Sequence, residues 1–238
     1  MPGSELACWR VEGVGPPLVC LHGAGVSSRE SMPLVQRLRG ARETWAVDFP
    51  GHGRSRDVAI PSGGAQGFRD AVLEFLDARS LAPVSLLGWS FGAQVAAAVA
   101  AAAPERVRGL VLVGPTVDRE ARTFARQFAR WLANGPHEPP ALVREVLRDY
   151  RTAGPRPVIA AFRAALGDRI EEVLPHVQAP TLVVRGEYDR MVPQPWAEEV
   201  TRLLPRGRLS TWSGAAHMVP YTDPGGLAAV VEQFLEHA

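Results

Sequence analysis

A chain of 238 residues with 26 basic and 25 acidic side chains carries a formal net charge of only +1, which argues against nucleic acid as a partner. Its length implies a single domain whose core needs no cross-links. Every basic residue is arginine, lysine is absent and asparagine occurs once, the pattern of a GC-rich genome, so an arginine cluster here says less than usual about function.

The N-terminal stretch Met1-Pro2-Gly3-Ser4-Glu5 has no basic region followed by an apolar run, so a cleavable secretion signal is not expected. Cys8 and Cys20 lie in apolar, strand-like surroundings and are expected to be reduced thiols of a cytoplasmic protein. Residues 18–21 read as a strand, and His22-Gly23-Ala24-Gly25 follows as a loop whose glycines let backbone approach a bound molecule closely. Ala24 N–H is a candidate hydrogen-bond donor there, and His22 is expected to brace the loop. A second strand at 44–47 leads into Asp48-Phe49-Pro50-Gly51-His52-Gly53-Arg54-Ser55, and residues 61–67 read as a flexible connection.

The most informative stretch is Gly88-Trp89-Ser90-Phe91-Gly92, between an apolar strand at 84–87 and an Ala-rich helix. A strand-to-helix turn this sharp needs glycine on both sides, strains the serine backbone and lifts its hydroxyl to the top of a sheet, at a helix N-terminus that favours developing negative charge. Ser90 is the expected nucleophile, and the N–H of Phe91, directly after it, is the second candidate donor to an oxyanion. The Ala-rich helix ends at Pro104 and is too short to cross a bilayer.

After the strand at 107–113 the strand–helix alternation stops. Residues 117–176 show helical periodicity, punctuated by Gly135-Pro136 and Gly154-Pro155 into three or four helices. They are expected to form a helical lid inserted in a core made of 1–116 and 177–238. At 100° per residue Phe124, Phe128 and Trp131 share one face of the first lid helix, and Arg119, Arg122, Arg126 and Arg130 share the other. The aromatic face is expected to wall an apolar substrate pocket above Ser90, with packing against other lid helices as the equal alternative. The arginine face is expected to be solvated, capture of an anionic substrate or an acidic carrier protein being the other reading.

Strands at 181–184 and 208–212 complete the alternation, which implies a mainly parallel sheet with helices on both faces. Asp189 lies in the loop after the strand at 181–184, at the carboxyl edge of the sheet where such folds carry their sites. Glu187 and Asp118 are its competitors as the acid. His217, in Ser213-Gly214-Ala215-Ala216-His217-Met218-Val219-Pro220, sits in a loop of small residues that lets an imidazole reach Ser90.

With these motifs in order, the chain resembles the α/β-hydrolase superfamily, and within it the small bacterial serine hydrolases with a helical lid. The resemblance spans nearly the whole length: His22 to Gly25 is similar to the oxyanion motif, Asp48 to Ser55 to the DxPGxGxS turn, Gly88 to Ala93 to the nucleophile elbow, Gly186 to Pro193 to the acid loop, and Ala216-His217 to the histidine loop. It implies an α/β-hydrolase fold with the lid after the sixth strand, although only about fifteen residues precede Leu18, too few for two full antiparallel edge strands. It implies Ser90, Asp189 and His217 as catalytic residues and Ala24 and Phe91 as the oxyanion hole, with no metal and no organic cofactor. Relatives that open epoxides or remove halide carry Asp at the elbow, and dienelactone-type hydrolases carry Cys, so Ser90 leaves ester, thioester, lactone or carbon–carbon cleavage. The leading expectation is hydrolysis of small, largely apolar carboxylic esters through an acyl-enzyme. Carbon–carbon or thioester cleavage of an anionic substrate is the second, and a small-molecule receptor retaining a hydrolase site is the third. The expected partner is a small-molecule substrate, with neither nucleic acid nor membrane, and the oligomeric state is left open.

Overall fold

The apolar runs of the sequence become the strands of one sheet. In the computed structural model, which describes residues 5–238, the sheet has seven strands among the described residues. Met1-Pro2-Gly3-Ser4, on which the reading of a secretion signal partly rests, lies outside the described residues. The strands are β1 (Cys8–Val11), β2 (Gly13–Leu21), β3 (Gly40–Val47), β4 (Val84–Trp89), β5 (Val107–Val113), β6 (Thr181–Gly186) and β7 (Gly207–Trp212). They lie in the order β1-β3-β2-β4-β5-β6-β7, and all pair in parallel except β1, which runs antiparallel to β3. The interior strands β4 and β6 are buried along their whole length, as two-sided coverage by helices requires.

Helices α1 (Met32–Arg37), α2 (Ala65–Ala78) and α3 (Phe91–Ala102) come first. The segment α4 (Phe124–Asn134), α5 (Pro140–Ala153), α6 (Pro155–Gly167) and α7 (Ile170–Val173) follows β5, and α8 (Gln194–Leu203), α9 (Val219–Thr222) and α10 (Pro224–Glu236) end the chain. Buried side chains of α2, α3 and α8 join one core cluster, including Phe68, Phe75, Phe91 and Trp196. Leu34 and Val35 of α1 and Leu227 and Val231 of α10 join the cluster on the opposite face. Phe49, Phe68 and Phe91 meet edge to face with centroids 5.4, 5.8 and 5.2 Å apart, each such pair being worth about 0.5–1.5 kcal/mol beyond its buried area. This aromatic cluster anchors Phe91 and so fixes the backbone of its neighbour Ser90.

Two expectations are corrected. The helical segment follows the fifth strand of this chain and not the sixth, because the four-residue β1 is the one antiparallel edge strand before β2 among the described residues. A full edge pair would have moved the count by one. The sheet also reaches further toward the N-terminus than the apolar run at 18–21, since β2 begins at Gly13 and takes Pro16 and Pro17 through a register shift between Gly15 and Leu18. A proline cannot donate to a ladder, which hides that half of the strand from a pattern of apolar residues.

The helical segment is not uniform. Ala161, Ala164 and Ala165 of α6 and Ile170 of α7 are buried in the same core cluster as α2 and α3, and Gln94 Nε2 donates to the Ala165 carbonyl at 3.0 Å. Those helices belong to the body of the molecule, whereas α4 and α5 lie over the carboxyl edge of the sheet. Proline opens α5 and α6, where the missing N–H costs nothing, and Gly154 at φ 80° separates them. Asp149 ties α5 down, its Oδ2 accepting the Ser27 N–H at 2.8 Å and the Ser27 hydroxyl at 2.6 Å.

Candidate active site

Ser90 joins β4 to α3 at φ 54° and ψ −120°, a conformation that costs a non-glycine residue about 1–3 kcal/mol. The surroundings enforce it. Its N–H donates to the Val113 carbonyl at 2.9 Å, and the flanking glycines admit no side chain: a Cβ at Gly88 would lie 2.1 Å from the Gly92 oxygen, and one at Gly92 would lie 2.1 Å from the Leu21 oxygen. The serine is therefore held half-buried at the helix start, its Oγ 3.4 Å from Thr116 Oγ1.

Of the three candidate acids only Asp189 reaches His217. Its buried carboxylate meets His217 Nδ1 through Oδ2 at 2.8 Å, while Oδ1 accepts the N–H groups of Met191 and Val192 at 2.8 and 2.9 Å. Arg185, which sequence reasoning passed over as a strand residue, fastens this loop by donating to the carbonyls of Val192, Glu187 and Asp189. Asp118 instead caps the turn after it through the Glu120 N–H and pairs with Arg130. Glu187 is exposed and accepts from Gly214 N–H and the Ser213 hydroxyl, bonds that hold its carboxyl below the usual range. Burial drives His217 toward the neutral form, but the charge and hydrogen bond of Asp189, with Glu138 and Glu30 beyond, outweigh it and raise the imidazole above its ordinary value. Gly114 floors the pair: at φ 52°, a Cβ there would sit 2.8 Å from His217 Cε1.

The loop after β2 brings Ala24 to the same place. His22, fully buried, accepts the Phe49 N–H at Nε2 (2.9 Å) and meets the Gly23 carbonyl through Nδ1 (2.8 Å), so Nδ1 carries the proton. Burial and the neighbouring His52 push its pKa down to about 3, and the neutral ring braces the loop. Asp48 completes the support by accepting the N–H groups of Ser28 and Arg54. The Phe91 N–H, at the first position of α3, has no acceptor within its own helix.

Ala24, Ser90 and His217 line one cavity of about 120 Å³, walled by Trp89, Trp131, Leu142, Val146, Tyr150 and Phe162 among others. Of the expected pocket residues only Trp131 lines it. Phe124 and Phe128 are 65% and 49% exposed and stack on one another and on Trp131 along the outside of α4, so the expectation for those two is corrected. The physical reason is that α4 turns its polar residues inward: Asn134 Oδ1 accepts the Arg190 N–H at 3.1 Å, Arg130 reaches Asp118 and the Met191 carbonyl, and buried Gln127 donates to the Ala121 carbonyl. Satisfying the acid loop outweighs burying two phenyl rings. The expected arginine face is corrected as well: Arg119 and Arg122 lie in the turn before α4, capped by Asp118, and the arginines are engaged, Arg119 with Glu199, Arg122 with Glu171 and Arg126 with the Glu120 carbonyl. Sequence reasoning missed Glu30 and Glu138, two carboxyls in the cavity wall; a lone acid in a loop has no periodicity to mark it.

A family model described as the alpha/beta hydrolase family matches residues 18–230. The chain belongs to the alpha/beta hydrolase family. This α/β hydrolase is 31% identical over 232 residues to a pimeloyl-[acyl-carrier protein] methyl ester esterase of Nitrosomonas europaea, with 86% of this chain and 90% of the relative covered. A protein of the same name from Xanthomonas oryzae pv. oryzae is 30% identical over 236 residues, covering 87% and 90%. A thermophilic esterase from Thermogutta terrifontis superposes with a TM-score of 0.83 over 98% of this chain and 93% of its own, at 21% identity, a likeness of fold alone. Among the described residues of the α/β hydrolase no three His, Cys, Asp or Glu side chains converge to hold a metal ion. None of its helices is long and apolar enough to cross a membrane among those residues.

Proposed function

We propose that this α/β hydrolase is a serine esterase that cleaves small, largely apolar carboxylic esters through an acyl-enzyme. The observation that carries the reading is the 2.8 Å bond from Asp189 to His217 in the wall of the cavity that also holds Ser90. Ser90 Oγ attacks the ester carbonyl while His217 Nε2 takes its proton, and Asp189 holds the imidazole in the tautomer that leaves Nε2 free and stabilises the imidazolium. The oxyanion is received by the N–H groups of Ala24 and Phe91. Collapse expels the alcohol with the proton from His217, and water activated by the same imidazole then releases the acid.

In this reading residues 117–176 are the insertion between the two core segments 1–116 and 177–238, with α4 and α5 as its covering part and α6 and α7 packed on the core. The apolar wall selects the acyl group and the small volume favours a small alcohol. The names of the two relatives make a methyl ester the first substrate to assay. The unpaired Cys8 and Cys20 suit a reducing, cytoplasmic location. Capture of a substrate carboxylate by a lid arginine loses support, because Arg119 and Arg122 just before α4 and Arg126 and Arg130 on it are bonded elsewhere and no arginine lines the cavity. A panel of chromogenic esters of increasing acyl length, run beside Ser90→Ala, tests the proposal. Turnover that peaks at short acyl chains and vanishes in the variant supports it; turnover retained in the variant, or product released once per protein, contradicts it, the latter pointing to a receptor.

A further inference from the structure

The cavity beside Ser90 has a polar end that the acyl-enzyme chemistry leaves idle. Glu30, only 4% exposed, lies on the short turn Ser28–Ser31 after the Ala24 loop. Its Oε2 accepts the Trp89 Nε1–H at 3.3 Å. Glu138, in the turn between α4 and α5, accepts the Met218 N–H and the Asn134 amide through Oε1, each at 3.0 Å, while its Oε2 is buried without a partner. Both side chains line the cavity, and neither arginine nor lysine joins them there. Burial is the main force on each carboxyl, lifting Glu30 to about 8 and Glu138 above its ordinary value.

We propose that Glu30 and Glu138 form the specificity pole of the substrate pocket, receiving a hydrogen-bond donor on the substrate (an amide N–H, hydroxyl or ammonium group) and turning carboxylates away. The proposal rests on the esterase reading of the site and deepens it. A buried acceptor that lacks a donor is costly, so a ligand that supplies one recovers that loss. A carboxylate does the opposite: it offers no proton to the partnerless Glu138 Oε2, and it sets a negative charge beside two carboxyls whose own ionisation burial already disfavours. Hydrolysis turns a neutral ester into such a carboxylate, so the same pole that admits the substrate favours departure of the product.

Glu30→Gln and Glu138→Gln keep an acceptor oxygen for Trp89 and Met218 and replace the ionisable carboxyl by a neutral amide. Binding of butanamide, butylammonium and butanoate to the whole protein at neutral pH is titrated by ligand-observed NMR. Butanamide and butylammonium should bind at least about 30-fold more tightly than butanoate, and the preference for butylammonium over butanoate should shrink at least about tenfold in Glu138→Gln. Equal binding of the three by the wild type, no binding of the two donors, or unchanged ratios in both variants overturns the proposal, and the wild-type ratios decide it alone if a variant fails to fold. Labelling of Ser90 by a fluorophosphonate, run on the same samples, keeps the two ideas apart. Loss of the label overturns the esterase reading and leaves the binding ratios readable.

Discussion

At the carboxyl edge of the sheet, Ser90, Asp189 and His217 are held by short bonds to backbone groups and by glycines that tolerate no side chain. On the far side of the same cavity, α4 leaves Phe124 and Phe128 in the open and turns Gln127, Arg130 and Asn134 toward the body. The first region is dictated by steric necessity, the second by a balance between burying rings and satisfying buried polar groups. A constraint of the first kind is written in the identity of single residues. A balance of the second kind depends on what the helix meets, which no periodicity reveals.

The comparison is broken most severely by Asp189→Asn. If the edge region is as determined as its bonding implies, this change stabilises the wrong tautomer of His217 and should lower kcat by about 10⁴-fold, the size of loss established for the serine-protease triad. Asp118→Asn, which loosens only the turn it caps and its contact with Arg130 of α4, should leave kcat within a few-fold. Steady-state kinetics on one ester checks both, and a reversed order would move the acid to the strand end after β5.

A smaller but more specific break is Gly114→Ala. The added methyl would meet the His217 ring at 2.8 Å and face a backbone at φ 52°, so the imidazole must shift by a fraction of an ångström to an ångström. A displacement of that order costs about 10²-fold in rate. Loss of kcat with little change in KM, in a variant whose circular dichroism matches the wild type, is the expected result.

The pH profile sharpens the comparison further. His217 acts as a base only when neutral, and its pKa is raised above the ordinary 6.5 by Asp189 despite burial. Activity should therefore be lost as pH falls through a value above 6.5. Asp189→Asn removes the group that raises it, so the acid limb of the residual kcat/KM profile should move to lower pH. An acid limb unmoved by that variant would separate His217 from Asp189.

The five motifs from His22 to His217 were legible because each is a backbone demand: a turn needing glycine, a loop needing a buried brace, an acid one residue run beyond a strand. The inner strands β4 and β6 were legible for the same reason, their apolar runs being buried on both faces. Less came through where the signal is relational. β1 is too short to show alternation, Arg185 looks like any strand residue until its three carbonyl partners are seen, and Glu30 and Glu138 acquire meaning only from a shared cavity. The stripe of Phe124, Phe128 and Trp131 was a sound helix signal, and α4 is indeed a helix there, but its inward face is the polar one.

The smallest expected effect lies on that helix. Trp131, 40% exposed, touches the cavity, whereas Phe128 does not. Trp131→Ala should shift the preferred ester toward longer acyl chains, each added methylene gaining up to about 0.8 kcal/mol where the indole withdrew. Phe124→Ala and Phe128→Ala should leave the acyl preference as it is. An equal shift in all three would return the whole stripe to the pocket.

The most direct test of the central claim is to trap the acyl-enzyme by rapid acid quench during turnover of a short-chain ester and map the modified peptide by mass spectrometry. The account requires the added mass of the acyl group on Ser90, and its absence in Ser90→Ala. An acyl group on any other residue, or turnover in the wild type with no acylated species and no Ser90 labelling by a fluorophosphonate, would contradict it.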